Sequence, residues 1–289
     1  MANTLLTPSQ ITREALRVLH QKLNFIGAIN RQYDDSFAKD GAKIGSALRI
    51  RLPNQYTVRS GANLSAQDTT ENQVTLNVTS QKGVDTQFTS ADLTLSLDDF
   101  SQRIINPAMA VLAAAIEADA FSMALDVYNA VNNIGNVISF KNTLQARKIL
   151  NDNLAPMDGS RSIILNTQDN VDLVDALKGL FQDSSEIKAQ YRDGVMGHTA
   201  GFEFSENTLL PTQTTGTALS ATTYTVNGAN QTGSAVTVAT GSTTFKKGDI
   251  VTLAGCFRVH PETKTTLADL QQFVVTADYA GGGGNLAIS

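Results

Sequence analysis

The stretch Asp98–Val131, DDFSQRIINPAMAVLAAAIEADAFSMALDVYNAV, decides how the rest of the chain is read. Ile105, Met109, Leu112, Ile116, Ala120, Met123, Val127 and Val131 recur at steps of three and four, which predicts one long helix with a continuous apolar stripe. Roughly nine turns would give a rod on the order of 50 Å. Ser96 stands at its start, with Asp99 three positions on as a capping partner and a charge suited to the positive helix end. Pro107 should bend the rod in its first third, because an interior proline loses a backbone hydrogen bond. Such a length exceeds the average of about 11–12 residues in compact domains and reads as a strut.

Upstream, Thr7-Pro8-Ser9-Gln10 opens a helix to about Leu23 with Ile11, Ala15, Val18 and Leu19 on one face. From Gln32 to Val78 the chain turns extended. Leu48, Ile50 and Leu52 alternate with Arg49 and Arg51, and Gln73–Val78 alternates in turn, which predicts a protruding two-stranded flap. Val84–Thr89 is a short strand leading to the long helix.

Downstream an α/β unit is expected. It comprises a helix over about Lys141–Asn153, a buried strand at Ser162–Leu165, a helix from Asn166 or Thr167 to Leu180 carrying Val171, Val174 and Leu177, and a short helix ending at Gly194. After Pro211, Thr, Gly, Ser and Asn dominate. Short alternating runs at Tyr224–Val226, Ala235–Ala239, Asp249–Leu253 and Phe273–Ala277 predict a small all-β unit, with a last apolar run at Asn285–Ile288.

Composition narrows the functions. At 289 residues with 42% hydrophobic and 17% charged side chains, the chain can bury a substantial core. A single cysteine, Cys256, excludes an internal disulfide and fits a reducing compartment. MANTLLTPSQ lacks a signal-like pattern, and no run approaches about 18 consecutive apolar residues, so no membrane partner is expected. A net charge of −5, no Trp and 6% aromatics argue against coating or stacking on nucleic acid.

Catalytic chemistry has little to work with. The histidines are His20, His198 and His260. Cys256 and His260 lie four apart in a strand-like pattern with no further ligands, so Cys256 reads as a core thiol and no metal, cofactor or catalytic residue is assigned. No G-x-S-x-G elbow occurs, and Gly194–Gly201 lacks the Lys-Ser/Thr of a phosphate loop. Charge is distributed more tellingly. Lys39, Lys43, Arg49, Arg51 and Arg59 make the flap basic. Asp92, Asp98, Asp99, Glu117, Asp119 and Asp126 face Arg103 alone along the helix and its lead-in. These are either two solvated faces or the two sides of a contact between subunits, with complementary charge fixing register.

Several strings carry a resemblance: Leu95-Ser96-Leu97-Asp98-Asp99-Phe100, Ile149–Pro156, Gly201–Asn207 with Pro211, Lys247–Gly255 and Leu270–Thr276. In this order the chain resembles the major capsid proteins of tailed phages with the Hong Kong 97-type shell fold, and most of all the coat family of short-tailed Salmonella-type phages with an inserted β-domain. The resemblance implies an α+β protein with an N-terminal arm and helix (1–35), an extended β flap (36–80), a peripheral domain with the spine helix (81–135), an apical α/β domain (136–215) and a β-rich insertion (216–289). It implies a shell subunit forming pentamers and hexamers around packaged double-stranded DNA, with scaffolding and portal proteins as partners, made in the bacterial cytoplasm and residing in the virion capsid. Such proteins continue past the insertion, so ending at Ser289 suggests a fragment or shortened version. A phage tail or adhesion protein and, further off, a hydrolase on the α/β lobe are the alternatives.

Overall fold

A computed structural model of the chain describes residues 7–29, 45–87, 89, 97–177, 197–218, 222 and 224–289. Helix α1, Pro8–Lys22, starts as its sequence dictates: Pro8 takes the first position and the Thr7 N–H donates to Gln10 Oε1 at 3.0 Å. A four-residue helix α2, Phe25–Ala28, follows. The face of α1 that carries Ile11, Ala15 and Val18 packs on Phe100 and Ile105, with Ile104 and Met109 beside them.

The long helix, α3 (97–126), is assembled from four pieces. An α turn at Leu97–Phe100 runs into a π-helical turn at Ser101–Ile105, then an α stretch at Asn106–Ser122 and a closing 3₁₀ turn at Met123–Asp126. The π turn lies just ahead of Pro107. Asn106 N–H donates to Ser101 O, five residues back, and the wider turn leaves room for a ring that would strike the carbonyl four residues before it. The helix ends at Asp126 rather than Val131, and Val127 is already extended (φ −101°, ψ 123°). The stripe also differs from expectation. Ile105 is buried as read, but beyond it Ala113, Glu117 and Phe121 turn inward, while Met123 is 61% exposed.

The described residues divide into two units whose boundary falls inside α3. One runs to Ile116 and includes Pro261–Lys264; the other comprises Glu117–His260 and Thr265–Ser289. The first contains the flap. Strand β1, Ala47–Arg51, pairs antiparallel with β2, Gln73–Asn77, setting Leu48 against Leu76 and Ile50 against Val74. The turn at 261–264 meets the flap's distal chain, where Lys264 Nζ donates to Gln55 Oε1 at 2.7 Å.

The second unit holds two cores. Helix α4, Phe140–Asp152, opens at Ser139, whose N–H donates to Asn142 Oδ1 at 2.9 Å. Its exit is fastened by Arg161, which donates to Asn151 Oδ1 at 2.8 Å, to the Pro156 carbonyl at 2.8 Å and to the Ala155 carbonyl at 2.6 Å. Strand β3, Ser162–Leu165, runs parallel to β5, Phe202–Glu206, and the short β4, His198–Thr199, pairs antiparallel on β5's other edge. Helix α5, Thr167–Leu177, covers this sheet through Leu173, which packs with Leu165, Phe202 and Phe204. Val171, among the apolar residues that the expected helix carries, is 61% exposed. Leu180 and the helix expected before Gly194 lie outside the described residues.

The β lobe is built from β6, Ala235–Val238, paired with β9, Gly284–Ala287, and from β7, Ile250–Val259, paired with β8, Thr266–Val274. Val236, Val238, Phe245, Val275, Leu286 and Ile288 form its core. The final residue is stitched in, Ser289 N–H donating to Val274 O at 3.0 Å and Val274 N–H to Ser289 O at 3.1 Å. Gly216 carries no side chain for a local reason: a Cβ there would overlap the Thr244 carbonyl.

Candidate subunit interface

The flap presents two chemically distinct faces because β1 alternates. On one side Leu48, Ile50, Val74 and Leu76 meet across the strands, yet Val74 and Leu76 remain 52% and 54% exposed. A ribbon of two strands buries little apolar surface by itself. On the other side Arg49 and Arg51 stand opposite Thr75 and Gln73, both arginines exposed. Arg51 Nη1 lies 3.5 Å from Glu71 Oε2. Arg59, further along, folds back on the flap's tip, donating to the carbonyls of Gly61 and of Asn63, the latter at 2.7 Å. Lys39 and Lys43 lie outside the described residues.

The acidic residues of α3 differ in their immediate surroundings. Asp99 is exposed at the first turn; the side chain of Asp98 is outside the description. Asp119 is exposed, and Asp126, about two turns on, is engaged by Lys247 Nζ at 2.8 Å. Glu117 departs from the sequence reading. It is 1% exposed and accepts from Asn207 Nδ2 at 2.8 Å, so it is an internal tie between α3 and the chain leaving β5. A buried carboxylate needs such donors to stay in place.

Ion pairs that the sequence reading did not find join α4 to the β7–β8 hairpin. Lys148 contacts Asp269 and lies 3.3 Å from Asp152; Arg258 lies 3.9 Å from the same Asp152. Asp269, and after it Asp152, push the Lys148 ammonium above its ordinary value, while Lys148 holds Asp269 below the usual carboxylate range. The Lys148–Asp152 spacing was visible; the partner strand was not. Near α1, Arg17 and then Ser101 hold the Glu14 carboxyl at about 2. Ser101 Oγ donates to Glu14 Oε1 at 2.9 Å and thereby ties α1 to the π turn.

A shallow open groove of about 440 Å³ runs beside α3, lined by Val84, Thr86, Ile104, Pro107 and Val111. Cys256, read from sequence as a core thiol, is exposed on β7. Among the described residues, no group of His, Cys, Asp and Glu is placed to hold a metal ion. The segment Ser101–Asp126 is long and apolar enough to cross a membrane, by length and composition only, and just 17% of its apolar window is buried.

The family described as P22 coat protein, gene protein 5, matches residues 38–288. No curated protein matches the chain. Among solved structures, a chain from Mycobacterium phage Che8 aligns with a TM-score of 0.50 at 21% sequence identity, over 65% of this chain and 70% of its own; at that identity the likeness concerns the fold alone.

Proposed function

The chain belongs to the P22 coat protein family, and from that premise we propose how its parts share the work of a phage shell. It is a major capsid protein of a phage, a component of the virion that assembles with copies of itself, and its role is structural. One observation carries the geometric reading: α3 is largely apolar, and among the described residues its Val111 and Met123 stand 64% and 61% exposed. Open apolar side chains on such a helix are covered at low cost when identical neighbours supply the missing walls.

The finer proposal is a Hong Kong 97-type arrangement. Residues 1–35 serve as arm, 36–80 as flap, 81–135 as peripheral domain, 136–215 as apical domain and 216–289 as inserted β-domain. The shell is icosahedral, built of pentamers and hexamers, and encloses double-stranded DNA without reading its sequence. It forms in the host cytoplasm around a scaffolding protein, with a portal at one vertex. The flap of one subunit lies along the helix of its neighbour. Arg49 and Arg51, with Lys39, Lys43 and Arg59, meet Asp98, Asp99, Asp119 and Asp126 there, and charge fixes register more than affinity. Glu117 takes no part, since Asn207 holds it within its own subunit.

Negative-stain microscopy of the expressed chain, alone and co-expressed with its neighbouring open reading frames, tests the reading. Closed shells of uniform diameter are expected. Dispersed monomers in every combination would overturn it.

A further inference from the structure

The β7–β8 hairpin changes register twice, by the larger surplus on β7 between Thr252 and Phe257 and again, within its outer half, between Phe257 and Val259. In its inner half Ile250, Val251 and Thr252 face Val274, Phe273 and Gln272; in its outer half Phe257 faces Leu270 and Val259 faces Thr266. Between them Leu253, Ala254, Gly255 and Cys256 stand opposite the single Gln271, a larger surplus than the one extra residue of an ordinary bulge. Gly255 has φ +83° there, with open space where a Cβ would lie. The inner half is anchored in the β-lobe core through Val251 and Phe273, and the first residue of the break, Leu253, packs there too. The outer half lacks that anchor: Phe257 and Val259 are 47% and 51% exposed.

Charge contributes to holding the outer half, whose connecting turn is also bonded to the flap through Lys264 and Gln55. Asp269, Lys148, Asp152 and Arg258 alternate in sign, two from the hairpin and two from the end of α4. Arg258 also donates to Asn153 Oδ1 at 3.0 Å, and its side chain is only 12% exposed. It sits at the C-terminal end of α4, where free carbonyls and Asp152 together favour a cation. Single exposed pairs contribute little, but an alternating network in defined geometry contributes more.

We propose that the outer half of the hairpin, residues 257–259 with 266–270, is an arm hinged at 253–256 and latched to the end of α4 by this quartet. Added charge or salt then frees the arm while the inner half stays in the lobe. A two-position element of this kind is biased by any group that binds one position better than the other. The inference concerns the single chain and stands apart from the shell reading.

Hydrogen exchange on the full chain, followed by mass spectrometry, tests it. Amides of 257–259 and 266–270 are compared with those of 250–252 and 272–274. Lys148→Glu should accelerate exchange in the outer set about fivefold or more and leave the inner set unchanged. Adding Asp269→Lys to that variant should slow the outer set again. In the natural chain, raising salt from about 0.05 M to about 1 M, where screening acts within about 3 Å, should loosen the same residues. Unchanged exchange in the variant, equal acceleration in both halves, or no rescue by the second substitution would overturn the latch. Should Lys148→Glu fail to fold, the salt series decides: an outer half indifferent to salt sinks the proposal.

Discussion

The side-chain amide of Gln272 closes on both backbone groups of Ala130, accepting from its N–H at 3.1 Å and donating to its carbonyl at 2.9 Å. One glutamine on β8 thus does for the chain leaving α3 what a partner strand would do. Replacing it with Leu keeps the bulk and removes both bonds. The expected loss is about 1–3 kcal/mol in urea unfolding, because Ala130 is partly buried and its groups would be left without a protein partner.

Asp249 gathers three donors: the Lys246 N–H at 2.8 Å, the Gly216 N–H at 3.0 Å and Gln213 Nε2 at 3.0 Å. Its carboxylate fastens the irregular segment after Pro211 to the β lobe. Asp249→Ala should cost about 2–4 kcal/mol, since hydrogen bonds to a charged group are the stronger kind. Gly216→Ala should cost a similar amount by a different route, overlap with the Thr244 carbonyl. Thermal melts of the two variants and their double should show the effects falling short of additive.

Asn207 serves two masters, donating to the buried Glu117 and accepting from the Leu209 N–H at 2.8 Å. Asn207→Leu should therefore destabilise by about 2–4 kcal/mol, as it withdraws a donor from a buried carboxylate. Glu117→Gln keeps a group of the same shape and should cost less. A Glu117→Gln variant that is the weaker of the two in denaturant would contradict this account.

Acid should loosen the contact between α1 and the π turn. Glu14 has its carboxyl at about 2 instead of the ordinary 4.5, held there by Arg17 first and Ser101 second. A depressed acid stabilises the fold above its unfolded value, and that contribution fades as pH falls through the folded value. The loss therefore lies between about pH 4.5 and pH 2, and Asp269 and Asp278, both lowered by lysine partners, act in the same direction. Melting temperature against pH should be flatter across that window in Glu14→Gln.

Reversal of the flap's outward charge separates folding from assembly. Arg49→Glu with Arg51→Glu alters exposed positions on β1, so the monomer's circular dichroism and melting should be nearly unchanged. Particle formation should be lost or misdirected in electron micrographs. Normal shells from that variant would remove the flap-on-helix contact from the proposed function.

Parts of this fold were legible because local pattern and tertiary demand agree. The capping of α1 by Thr7 and Gln10, the pairing of 47–51 with 73–77, and the strand at Ser162–Leu165 all follow from spacing and β-branching. The end of α3 was not legible. Val127 and Val131 keep the helical rhythm, but Val and Asn are weak helix formers, and Gln272, far along the sequence, claims Ala130. Glu117 illustrates the same gap at the candidate interface. A carboxylate reads as surface until its partner is known, and Asn207 lies 90 residues away. The hairpin registers and the Lys148–Asp269 contact are likewise pairings across space, which periodicity along one strand does not encode.

The π turn at Ser101–Ile105 makes this part of the chain sensitive to length more than to composition. Its surplus residue acts as a phase shifter: an ordinary α turn in its place would rotate everything upstream by about 100°. Phe100 would swing away from Val18, and the helix at Pro8–Lys22 would lose its seat. Single-residue deletions between 101 and 105 should thus be purged among descendants of this sequence, while substitutions at the exposed Gln102 and Arg103 drift freely.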